Sequence, residues 1–152
     1  MPDHTQKQKI LALLAASDPE SIREGAQLAG ARKLAEAIPS LVTHIASPNI
    51  GVQEAVDSAL RKIGGPEVVQ AIIPMLRSDD APARNLSMDL LRALGNSDLE
   101  KLFALLQDED VDVRIFAADI LGSVNSVLAV PPLCRALLHD PEVNVRYQAA
   151  VS

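Results

Sequence analysis

Five positions recur along this 152-residue chain where side-chain chemistry could be built: Arg23, Gln53, Arg84, Arg114 and Arg146, at intervals of 30, 31, 30 and 32 residues. A row of guanidinium groups is a natural binder of phosphate or carboxylate, and Asp108, Asp110, Asp112 and Asp140 stand close by in sequence as counter-charge. The competing use of such a row is structural, each charge being satisfied inside the fold. Cys134 is the only thiol and cannot form an internal disulfide. It sits in an otherwise aliphatic column, where a buried thiol packs and does not react, so a core residue is expected there and not a nucleophile. His4, His44 and His139 are scattered, and none is followed by Glu. His44 shares a column with Leu14, Met75, Leu105 and Leu137 and is expected to be a partly buried packing residue. There is no Gly-rich phosphate loop and no Ser-His-Asp spacing to defend. No catalytic residue, cofactor-binding residue or metal ligand is assigned, and the chain reads as a protein that is not an enzyme.

Composition narrows the partners. Lys and Arg total 14 against 20 Asp and Glu, a net charge of -6 that repels phosphate on average, so nucleic acid is not expected. No run of about 18 apolar residues offers a membrane span, and no charged-then-apolar leader stands at the start. A cytoplasmic protein is the expectation. Residues are 48% hydrophobic but only 2% aromatic, so the core must be built from Leu, Ile, Val and Ala, as close helix packing allows.

The elements that position these residues follow from the same register. One position before each register residue stand Ile22, Val52, Ala83, Val113 and Val145, and seven after it Leu60, Leu91 and Leu121, an amphipathic helical spacing. Twelve before it stand Leu11, Leu41, Ile72, Leu102 and Cys134, and eight before it Ala15, Ile45, Leu76, Leu106 and Leu138, a second apolar stripe on a preceding helix. Polar breaks such as Ser17-Asp18-Pro19, Ser47-Pro48-Asn49 and Ser78-Asp79-Asp80 separate the two stripes, and their Asp, Ser and Pro suit helix starts. Each unit is therefore helix, turn, helix. First helices are predicted near 5–16, 37–46, 66–77, 98–107 and 128–139, and second helices near 20–33, 50–63, 81–94, 111–124 and 143–152. Gly64-Gly65, Gly95-Asn96 and Asn125-Ser126 are placed to end second helices through a left-handed residue. Pro74 is expected to kink its helix. The chain is read as one domain, 1–152, of five repeats at about 4–34, 35–65, 66–96, 97–126 and 127–152.

Asp140-Pro141-Glu142-Val143-Asn144-Val145-Arg146, and Val113-Arg114 followed by Ala117, Leu121 and Gly122, resemble HEAT-like repeats of the phycobilisome lyase type. The resemblance spans essentially the whole chain and implies an all-α fold, a right-handed α–α superhelix. It also implies that the recurring arginine packs its stem between neighbouring repeats and pairs with an acid in an adjoining turn, the structural use preferred here. HEAT-like hydroxylases hold iron through repeated His-Glu pairs that this chain lacks, and a HEAT-like DNA glycosylase needs basic and aromatic residues on its concave face. Gly25 and Gly30 depart from the pattern, at about 1 kcal/mol each relative to Ala in a helix interior, as a terminal repeat tolerates. The last unit stops short of its Leu-Gly segment. A longer array, or an end covered by a partner or a second copy through Tyr147 and Val151, is the expectation there.

In HEAT solenoids the exposed side of the second helices forms the concave wall. Here that side carries Glu24, Glu54, Asp57, Arg61, Asn85, Met88, Asp89, Arg92, Ile115, Asp119 and Tyr147. Glu54, Asp57, Asn85, Asp89, Arg92, Ile115, Asp119 and Tyr147 are the candidate partner-binding residues. Asp57, Asp89 and Asp119 would steer a basic segment of another protein, and Ile115 and Tyr147 would anchor it. An ordinary solvated face with two stray apolar residues is the other reading of this wall. The leading expectation is a scaffold or adaptor. A bilin-handling lyase-like or chaperone-type protein, and a regulatory N-terminal region of a longer signalling protein, are the alternatives.

Overall fold

The computed structural model describes residues 3–152, and among them every regular element is helical. Ten α-helices form five hairpins: α1 (His4–Leu14) with α2 (Pro19–Ala31), α3 (Ile38–Thr43) with α4 (Ile50–Ile63), α5 (Pro66–Ile72) with α6 (Ala81–Leu94), α7 (Leu99–Leu105) with α8 (Val111–Ser123), and α9 (Val130–His139) with α10 (Val143–Val151). The hairpins stack in chain order. Every substantial packing pair joins helices of one hairpin or of adjacent hairpins, the one-dimensional arrangement of a solenoid.

The polar breaks do their work as helix caps. Asp18, Asn49, Asp80 and Asp110 each accept a hydrogen bond from a backbone amide of the helix they precede, at 2.9, 3.0, 3.2 and 2.8 Å. Each such cap contributes about 1 kcal/mol by satisfying an amide that the first helical turn leaves free. Glu142 stands at the same point before α10 without a side-chain cap bond. At the other end, Gly64 and Gly65 take φ of 58° and 86°, and Asn125 takes 52°, which turns the chain after α4 and α8. Gly95 does not share that role. Its φ is -59°, and it is small because a Cβ there would meet Leu102 and Val124 at 2.7 and 2.8 Å. Lys33 supplies the left-handed residue after α2, with φ 49°.

Pro74 lies just past the α-helical part of its segment, which ends at Ile72 and tightens into a 3-10 stretch over Ile73–Arg77. The second hairpin tightens in the same place, His44–Ala46, with no proline at the junction. The tightening therefore belongs to how these first helices meet their turns, and Pro74 accommodates it by lacking the amide that a longer α-helix would use.

The core is a continuous aliphatic spine. Ser87, the one buried polar residue among the described residues, donates its hydroxyl to the Ala83 carbonyl at 2.8 Å. Leu41, Ile72 and Leu102 are buried as the register demands, and so are Ile45, Leu76 and Leu106. The first hairpin departs by one residue: Ile10 and Leu14 are buried, while Leu11 is half-buried and Ala15 exposed. Asp18 caps α2 five residues before Arg23, whereas Asn49, Asp80 and Asp110 stand four before their register residues, so the first turn shifts α1 by one place. The last hairpin departs more seriously. Cys134 is exposed, not buried, and Leu138 is 69% exposed, because among the described residues no hairpin packs on that side.

The glycines of α2 are requirements of packing. A Cβ on Gly30 would lie 2.8 Å from Ala59 Cα, and one on Gly25 would lie 3.0 Å from the Leu14 backbone nitrogen. The helix-propensity penalty of these glycines is accepted so that α2 can approach α4 and α1 at backbone distance.

Candidate functional site

The second helices α4, α6, α8 and α10 carry all eight candidate partner-binding residues. Glu54, Asn85, Asp89 and Tyr147 are exposed, Tyr147 at 67%, while Asp57, Arg92, Ile115 and Asp119 are half-buried. Met88, expected on this wall, is instead buried in the core, as Ala118 is at the same place in the next repeat.

The wall's carboxylates are not left to themselves. Asp57 accepts from Arg61 Nε one turn later at 3.0 Å, a pair within α4. Arg92 is shared: Nη1 donates to Asp89 on its own helix at 2.7 Å, and Nη2 donates to Asp119 across on α8. Burial works against the charge on Arg92, but Asp119 and then Asp89 outweigh it and raise its pKa above the usual arginine value. One cation thus serves two carboxylates and ties α6 to α8. Glu54 makes no ion pair among the described residues. The structure brings Asp89, Arg92 and Asp119 into one cluster and keeps Asp57 in a separate pair.

The recurring register residues form a different edge of the molecule. Arg84, Arg114 and Arg146 each donate Nη1 to a carbonyl six residues earlier, Ser78, Asp108 and Asp140, at 2.9, 2.8 and 2.8 Å. Gln53 does the equivalent with the Ile45 carbonyl at 3.1 Å. Each closes its own turn, and Arg84 also lies over the Phe116 ring, 5.6 Å from its centroid. Arg23 has no such bond and comes only within 4.0 Å of Glu20. The pairing with an adjoining turn is realised at Arg114, whose Nε donates to Asp140 of the next hairpin at 3.0 Å, with both side chains largely buried.

A second cross-turn pair has a weaker trace in the sequence. Arg77 donates through both terminal nitrogens to the two oxygens of Asp108, one bond measuring 3.0 Å. That hydrogen bonding, followed by the Asp110 amide, holds the Asp108 carboxyl below the usual carboxylate range. The signal that could have found it is spacing, since Arg77 and Asp108 lie 31 residues apart, one repeat, in neighbouring columns.

The histidines carry no shared chemistry. His44 Nε2 donates to the Leu14 carbonyl at 2.7 Å and links the first two hairpins, whereas His4 pairs with Gln8 and His139 is exposed. Among the described residues no cluster of His, Cys, Asp and Glu is arranged to hold a metal ion. The surface holds a groove of about 730 Å³ between α7 and α9, and a cleft of about 440 Å³ between α2 and α4 lined by Gly30, Gly51 and Ala59 with Arg23, Glu54 and Lys62. No helix among the described residues is long and apolar enough to cross a membrane.

No curated protein matches the chain. The model of one family, HEAT repeats, matches residues 8–92 and 99–152 and does not select the phycobilisome lyase type. Stacked hairpins, capped turns and a register residue that closes each turn agree with that match over nearly the full length, and this chain belongs to the HEAT repeat family.

Proposed function

We propose that the protein is an interaction scaffold whose second-helix wall holds a basic segment of another protein. HEAT repeats generally serve as protein-interaction scaffolds, which gives the class of function. The observation that carries the finer reading is a surplus of carboxylate on the wall: Asp89 and Asp119 share the single Arg92, and Glu54 has no ion-pair partner among the described residues. A lysine- or arginine-rich strand laid across α4, α6 and α8 completes those charges. Asn85 supplies hydrogen bonds between them, and Ile115 and Tyr147 supply apolar anchorage beyond them. Asp57 contributes little to attraction, because Arg61 already neutralises it.

The test uses a fluorescent decapeptide alternating Lys and Leu. Anisotropy should show binding that weakens as salt rises, since screening at 0.15 M acts over about 8 Å. It should be lost when Glu54, Asp89 and Asp119 are replaced together by Lys. Undiminished affinity in that triple variant, with helicity intact, removes the wall from the function.

A further inference from the structure

We infer that the cleft between α2 and α4 holds an extended segment of the partner in which a basic residue stands between two acidic ones. Gly30, Gly51, Ala55 and Ala59 line this cleft, and their short side chains leave about 440 Å³ open. Arg23, Glu54 and Lys62 share the lining, and none of the three charges satisfies another. Glu54 and Lys62 form no ion pair among the described residues, and Arg23 comes only within 4.0 Å of Glu20, whose side chain is 92% exposed.

Arg23 is the exception among the register residues. Gln53, Arg84, Arg114 and Arg146 use their side chains to close a turn, and Arg23 does not. Its stem lies instead on the start of α4, where a Cβ added to Gly51 would meet its Cδ and Nε at 3.3 Å. Lys62 lies beside Gly30, its Cδ 3.4 Å from where a Cβ there would stand. Along α4, Gly51 and Lys62 are about 16 Å apart at a rise of about 1.5 Å per residue, and Glu54 comes between them, one turn from Gly51. The charges therefore run positive, negative, positive along the cleft.

That order selects the occupant. An extended polypeptide advances about 3.3 Å per residue, so about five residues cover the distance. Carboxylates of the segment meet Arg23 and Lys62, its ammonium or guanidinium meets Glu54, and its backbone lies over the glycines and alanines, where a bulkier lining would block it. Such a segment brings net negative charge to a protein of net charge -6, so its attraction comes from local complementarity and not from the field of the whole chain. The inference rests on the reading of the wall only in using Glu54 as the seat of the basic residue.

NMR titration of the isotope-labelled protein tests it with two peptides blocked at both ends, Glu-Ala-Lys-Ala-Glu and Gln-Ala-Lys-Ala-Gln. The first should move the Gly30 and Gly51 amide signals and bind about fivefold tighter than the second, the worth of two exposed ion pairs. Net charge alone predicts the reverse order. Arg23→Ala and Lys62→Ala should each weaken the first peptide about twofold and leave the second unchanged. Arg23 closes no turn, so its variant keeps the fold. Equal affinities, tighter binding of the glutamine peptide, no binding by either, or signal changes that leave Gly30 and Gly51 unmoved overturn the inference. Binding of Glu-Ala-Lys-Ala-Glu without binding of the Lys-Leu decapeptide upholds the cleft and removes the wall, and the converse does the opposite.

Discussion

The two ends of this solenoid are built from the same hairpin and solve opposite problems. At the first end, α1 turns Gln8 and Lys9 to water, Ile10 and Leu14 face inward, and glycines at 25 and 30 let α2 settle against its neighbours at backbone distance. In the last hairpin the same columns arrive at Cys134, Leu138 and Ala150, which are exposed, with none of the described residues packed upon them. The turns differ in parallel. Arg23 closes no turn, whereas Arg114 closes its own and reaches the next through a largely buried pair with Asp140. One column of a repeat is therefore not one energetic environment: its members differ according to which hairpins flank them.

The sharpest way to break that contrast is to truncate the same column at two places. Leu102→Ala should destabilise the protein by about 4 kcal/mol, a transfer and cavity cost in a site with no exposure. Leu138→Ala, measured by urea denaturation in dilute solution, should change stability by under about 0.5 kcal/mol. Equal effects would mean that the last hairpin is covered in solution even when dilute.

The register residue comes next. Arg114→Ala leaves Asp140 buried beside an empty place and should cost about 3 kcal/mol, while Arg23→Ala should cost under about 0.5 kcal/mol. A large loss at Arg23 would remove the distinction between the two turns. Gly30→Ala should then destabilise by about 2 kcal/mol, although Ala favours a helix by about 1 kcal/mol, because Ala59 stands too close for the added methyl. A stabilised Gly30→Ala variant would show that α2 and α4 can separate freely.

The smallest effect concerns pH. Asp108 has a folded-state pKa below its unfolded value of about 3.9, so the stability it lends is present above that value and is lost as pH falls through it toward the folded pKa. Arg77→Gln should flatten the decline of Tm below pH 4, where calorimetry of the two proteins should converge. An unchanged slope would mean that the Arg77–Asp108 pair does not link the third and fourth turns.

Much of this was legible in the sequence because it is local. Asp18, Asn49, Asp80 and Asp110 announce helix starts within three residues of the amides they cap, and the aliphatic spacing about Val52, Leu60, Val113 and Leu121 needs one helix to be read. The candidate site was legible as a set of residues on second helices. Its electrostatics were not, since Arg92 meets Asp119 across 27 residues of chain and divides itself between two carboxylates.

From the sequence alone come the all-helical class, the five hairpins, their turns and the wall they share, because helix periodicity and capping are decided by neighbours a few residues away. Only the tertiary structure decided that Cys134 is bare and Met88 hidden, that Gly30 marks a close crossing with Ala59, and that Ile10 and Leu14 replace Leu11 and Ala15 in the core. The physical reason is the same in each case: burial and pairing belong to two hairpins at once, and a repeat pattern written within one of them does not say what lies against its outer side.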